Sequence, residues 1–139
     1  MADSLVTPFL RLNIVSKQTD KSEQSTTVCN VKVAYIRPKY SDLRAWMADP
    51  NNVYIGRRGI VFINNVRFPP NDSIWANPYK VSAAMTREMA IAQYETYIIE
   101  KIRTEHLENE LEKLRGKNLG CWCKPEACHG DVLLKLLNK

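Results

Sequence analysis

The feature that most constrains this chain is the run from Leu119 to Leu137. Leu119-Gly120-Cys121-Trp122-Cys123 reads as the end of a buried strand, the residues up to Gly130 as a short loop, and Val132-Leu133-Leu134-Lys135-Leu136-Leu137 as an amphipathic helix. A strand that hands the chain through a tight loop to a helix packed back on it is the unit of α/β folds, and that loop is where ligands and chemistry are commonly carried. Three of the four cysteines, one of the two histidines and Asp131 fall between Cys121 and Asp131.

The rest of the chain fits the same class. Val28 to Ile36 alternates apolar and polar at Val31, Val33 and Tyr35, which predicts a half-buried first strand stopping at Arg37-Pro38. Ser41 is a plausible N-cap for a short helix with Leu43, Trp46 and Met47 on one face. Val53 to Gly59 reads as a second strand leaving through the basic turn Gly56-Arg57-Arg58-Gly59, and Asn64-Asn65 predicts a hairpin between Ile60–Ile63 and Val66–Phe68. Phe68 to Tyr79, rich in proline and aromatic side chains, is expected to be a structured loop. Thr86 opens a long helix with the stripe Ile91, Tyr94, Ile98 and Ile102, broken near Thr104 to His106, and Gly116 ends its continuation. Residues 117 to 123 are the last strand. The predicted architecture is α/β: a single small domain over 28–139, with a mostly parallel central sheet, flanking helices and a β-hairpin insertion. Residues 1–27 form an N-terminal accessory segment, in which Thr7 to Val15 could add an edge strand and residues 16 to 27 read as a mobile linker.

A chain of 139 residues can bury a core without disulfides or metal. Its apolar runs are too short to span a bilayer, which argues against a membrane partner. The N-terminus shows no secretory signal, so an intracellular, cytoplasmic setting with reduced thiols is expected. The net charge of +5 is unevenly placed: residues 31 to 80 hold eight Lys or Arg against three Asp, and the remainder balances. That favours an anionic partner, a small molecule or nucleic acid, although a solvated basic face gives the same pattern. Nothing in the sequence sets the oligomeric state.

Three readings of the 121–131 loop stay open. In the first, Cys128, His129 and Asp131 are catalytic: a thiol at a helix N-terminus is acidified by the dipole, His129 is a base, and Asp131 orients it or caps the helix. No cofactor is needed in that case. In the second, Cys121, Cys123, Cys128 and His129 bind zinc, the ligand types fitting better than their spacing. In the third, the cysteines are small buried hydrophobes and His129 and Asp131 serve the helix start. Arg57 is a candidate anion ligand, Trp75 and Asn77 candidate walls of a pocket, and Cys123 a further ligand-binding residue. His106, on a charged helix face, is expected to be solvated.

Val53-Tyr54-Ile55-Gly56-Arg57, Ser73-Ile74-Trp75-Ala76-Asn77-Pro78-Tyr79, the long helix, and Leu119-Gly120-Cys121-Trp122-Cys123 through Cys128-His129-Gly130-Asp131-Val132-Leu133 together resemble a family of small phage, bacterial and large-DNA-virus proteins defined as a domain of unknown function. The resemblance runs from about Val31 to Leu137. It implies a small α/β domain of phage-like or viral context, within a host cell if viral, and supplies no activity. Many family members pass almost directly from the glycine-arginine turn to a W-x-N-P segment, whereas this chain inserts Arg58 to Asp72, which separates Arg58 and Arg67 from the shared pattern. The Cys-His step is also distantly similar to a second family of unknown function. The function expected is binding or processing of a nucleotide, nucleic acid or other phosphate-bearing ligand near Cys128-His129, with a non-catalytic zinc-binding or interaction module of a virus as the alternative.

Overall fold

The computed structural model describes residues 25–139. The edge strand expected over 7–15, and most of the linker after it, lie outside the described residues. In chain order the elements are β1 (Thr27–Asn30), α1 (Val33–Ile36), α2 (Leu43–Ala48), β2 (Asn52–Tyr54), β3 (Val61–Ile63), β4 (Val66–Phe68), α3 (Arg87–Glu105), α4 (Glu108–Glu112), β5 (Asn118–Cys121) and α5 (His129–Leu137). β1, β5 and β2 form a parallel sheet with β5 in the middle, and β3 and β4 pair as a separate antiparallel hairpin. The expected α/β class with a parallel sheet and a hairpin insertion is what the chain adopts.

Side chains alternate across a strand, and here the alternation divides the molecule. Leu119 and Cys121 of β5, with Ile55 just past β2, enter a core built with Tyr94, Ile98, Leu133 and their neighbours on α3 and α5. Trp122 and Tyr54 face the other way, toward Val31, Ile36, Leu43 and Trp46. Gly120 belongs to that second face, where a Cβ would lie 2.4 Å from the Trp46 ring and 2.6 Å from Val31. Only a hydrogen fits between β5 and α2 at that crossing.

Several local signals read from the sequence are present. Thr86 caps α3 by accepting from Met89 N at 3.1 Å, and His106 ends it in the left-handed region. Asn64 and Asn65 supply the hairpin turn with φ of 54° and 65°. His106 is exposed, as expected, at the C-cap position.

Other expectations are corrected. The first strand stops at Asn30, because the Asn30 side chain accepts from Lys32 N at 2.8 Å and turns the chain into the single helical turn α1, which buries Ile36 and leaves Val33 and Tyr35 exposed. The cap of α2 is Asp42, not Ser41: its carboxylate accepts from Ala45 N at 2.9 Å. The second strand ends at Tyr54 and the last at Cys121, each shorter than the apolar pattern suggested, because pairing among the described strands ends where β1 and β2 turn away.

Candidate functional site

The site grows from the carboxyl end of β5. Beyond Cys121 the chain is held by the Asn30 amide, which donates to Lys124 O at 2.6 Å, and by Glu126 N donating to Cys123 O at 2.8 Å. Cys128 is the N-cap of α5. Its thiol accepts from Gly130 N at 3.3 Å while the Asp131 carboxylate accepts from Cys128 N at 3.0 Å, a reciprocal capping box. The other Asp131 oxygen takes Lys124 Nζ at 2.7 Å. Of the two roles expected of Asp131, capping is therefore the one its contacts fill. The start of α5 is pressed onto the sheet, since a Cβ on Gly130 would come within 2.9 Å of Ile55 and 3.0 Å of Val28.

His129 is buried behind this cap. Its Nε2 lies 2.7 Å from Ile55 O, a carbonyl that can only accept, so the proton resides on Nε2. Nδ1 then presents a lone pair toward Cys128 Sγ at 3.6 Å. The ring meets Tyr94 edge-on, with centroids 5.0 Å apart. Burial, against the pull of the Ile55 carbonyl, lowers its pKa and keeps the imidazole neutral.

Cys121, Cys123 and Cys128 act on one another as neighbouring acid–base groups, and of the three it is Cys123 whose pKa is lowered. The Cys121 and Cys128 thiols donate to it and the Arg87 guanidinium faces it, so its pKa falls well below the ordinary thiol range despite partial burial. Cys128 and Cys121 are pushed the other way, chiefly by serving as donors within the cluster. Cys121 and Cys128 are 0% and 1% exposed, whereas Cys123 is half-buried and opens to solvent. This runs against the expectation that the helix start acidifies Cys128: donation to Cys121 and Cys123, and then burial, raise its pKa and outweigh the Gly130 amide that its sulfur accepts.

Cys123 opens into a cleft of about 400 Å³ whose walls include Arg57, Asn77, Lys80, Arg87 and His129. Arg57 Nε donates to Asn77 O at 2.8 Å and Nη2 approaches Tyr79 O at 3.5 Å, tying the basic turn to the Pro-rich loop. The Asn77 side chain accepts from Tyr79 N at 2.8 Å and reaches Ala90 O of α3 at 3.4 Å. Three segments far apart in sequence thus meet beside the thiols. Trp75 does not join them: it is 3% exposed and packed in the core, its carbonyl accepting the Tyr94 hydroxyl at 2.8 Å. It anchors the loop from beneath, and Tyr79 stands at the cleft in its place.

Arg87 is the residue the sequence did not disclose. It occupies the first position of α3, donates Nη1 to Ala127 O at 3.4 Å and lines the cleft. Its only sequence signal was its place after the Thr86 cap, with nothing to link it to a loop forty residues away. Arg58 and Arg67 lie away from the cleft. Arg58 N donates to Asp72 at 2.7 Å, and the Arg67 guanidinium lies over Phe62. Among the described residues no group of three or more His, Cys, Asp or Glu side chains is placed to hold a metal ion. A more open groove of about 690 Å³ along α3, with Gln93, Thr96 and Glu100 among its lining, contains none of the sequence-predicted residues.

Residues 39–139 match the model of a family described as Domain of unknown function (DUF4326). An uncharacterised 12.4 kDa protein from the nrdA-td intergenic region of Enterobacteria phage T4 is 40% identical over 68 residues, a stretch that covers 48% of this chain and 62% of the phage protein. No solved structure matches. Among the described residues no helix is long and apolar enough to cross a membrane.

Proposed function

The chain belongs to the DUF4326 family of unknown function, and we propose that its cleft binds a small phosphate-bearing ligand of the nucleotide class, with Cys123 as the nucleophile. The observation that carries this reading is the convergence of Arg57, Lys80 and Arg87 on the same cleft as an acidified thiol. Guanidinium forks suit a phosphate, and a thiolate kept charged at neutral pH is the reactive form of cysteine. The roles divide by burial. Cys121 and Cys128 hold the negative charge on Cys123 by donating to it, and His129 and Asp131 fix the helix start that places them. The Arg57–Asn77 hydrogen bond sets the opposite wall. Cys128, His129 and Asp131, the expected catalytic set, are positioning residues in this reading.

The test is alkylation with iodoacetamide followed by peptide mapping. Cys123 should label before the other cysteines, at a rate nearly constant from the ordinary thiol value of 9.0 down to about pH 6. Arg87→Ala should move the midpoint of that profile upward, since the guanidinium favours the thiolate. Nucleoside monophosphates or pyrophosphate should slow the labelling. Faster labelling of Cys128, or labelling indifferent to all of these anions, would overturn the proposal. Near-stoichiometric zinc that disappears in Cys123→Ser would replace it with the zinc module.

A further inference from the structure

On the opposite side of Trp122 from the thiols lies a second concavity, about 610 Å³, between α1 and the β3–β4 hairpin. Its floor is apolar: Val31 and Leu43 are buried and Trp122 is half-buried. Its rim carries Lys32 and Arg37 on one side and Phe62 and Asn64 on the other. Phe62 is 64% exposed, and the Arg67 guanidinium lies over its ring at 4.7 Å from the centroid. The hairpin pairs with no other strand among the described residues, and Phe62, directly across from Arg67, stands on the hairpin face opposite the one by which Val61 and Phe68 pack on the core. An exposed ring at the rim of an apolar concavity offers a flat face for a partner to lie against.

Charge decides which partner fits. The one carboxylate lining the groove, Asp42, is engaged in capping α2, while Lys32 and Arg37 line it and Arg67 lies over the Phe62 ring beside it, all in the segment that carries the whole positive excess of the chain. An uncharged protein partner would suit the floor and leave those cations without counter-charges. A polymer with a negative charge at every unit and a flat apolar face on each unit suits both. Single-stranded nucleic acid is such a polymer, because its bases are free to stack on an aromatic ring while its phosphates meet lysine and arginine; in a duplex the same faces are hidden in the base stack. Trp122 lines this groove and also the thiol cleft, so the two concavities are neighbours across one indole.

We propose that the groove between α1 and the hairpin binds single-stranded nucleic acid, with Phe62 as the base-stacking platform and Lys32, Arg37 and Arg67 as phosphate contacts, and that the strand passes Trp122 toward the cleft. Binding in the groove does not depend on the reading of the cleft. The experiment is fluorescence anisotropy of the full chain with a labelled single-stranded oligonucleotide about 12 residues long, at low and moderate salt. Affinity should fall steeply with salt. Phe62→Ala should weaken binding roughly 5- to 100-fold, the effect of removing one stacked base. Lys32→Ala and Arg37→Ala should each reduce the salt slope by about 1. A duplex of the same length should compete poorly. Binding indifferent to Phe62→Ala or to salt, or no binding at low salt, would overturn the proposal. A dimer in sedimentation that Phe62→Ala abolishes would do so as well, by giving the face to a second copy of the chain. Phe62 is exposed, so a folded variant is expected, and its thermal melt checks this. Oligonucleotide binding without anion protection of Cys123 would isolate a failure of the cleft reading alone.

Discussion

On one face of the parallel sheet α3 and α5 close over Leu119, Ile55 and Leu133, all 0% exposed, and seal the Cys121 and Cys128 thiols and an imidazole beneath the helix cap, with Cys123 at the edge of the cleft. On the other, α1, α2 and the hairpin cover Val31 and Trp46 yet leave Phe62, Val66 and Val33 in solvent. The same strands serve both faces, so the contrast comes from what lies against them. A long helix crossing the sheet excludes water and shifts proton affinities, whereas a four-residue helix and a two-stranded hairpin cannot cover the apolar surface they bring with them. Reactivity needs the first environment and recognition of a large partner needs the second.

The contrast can be broken by mutation. The largest effect is expected for Leu133→Ala, about 2–5 kcal/mol lost in urea denaturation, because a fully buried side chain leaves a cavity in the sealed core. Gly120→Ala should cost about 1–3 kcal/mol, since the new methyl meets the Trp46 ring and the two elements must move apart. Phe62→Ala should change stability by no more than about 0.5 kcal/mol, because its ring is already solvated. If the Phe62 variant loses as much as the Leu133 variant, the hairpin face is a structural core and the distinction fails.

What the sequence made legible was local. The Asn64-Asn65 turn, the Thr86 cap, the break at His106 and the strand, loop and helix after Leu119 are each encoded by residues within a few positions of one another. Arg57 and Asn77 could be named beside the 128 loop because their residue types suit an anion, and they do line the cleft with it. What was hidden depended on distant neighbours. The alternation from Val31 to Tyr35 looked like a strand until the Asn30 side chain turned the backbone. Trp75 looked like a wall because nothing nearby announced that Tyr94, nineteen residues on, would pull it into the core. The rank of the three thiols depended first on which of them donates to which, and then on burial and Arg87, none of which spacing reveals.

The central position of β5 also governs when the molecule can exist during synthesis. β1 and β2 bond to β5 and not to each other, with Thr27 opposite Asn118 on one side and Asn52 opposite Asn118 on the other. A nascent chain that has passed Glu105 can already coil α3, but among the described strands β1 and β2 have no partner until residues 118–121 are made. Every ladder of the parallel sheet therefore closes late and over a long loop, which slows folding and leaves Val28, Val53 and Ile55 uncovered in the interval.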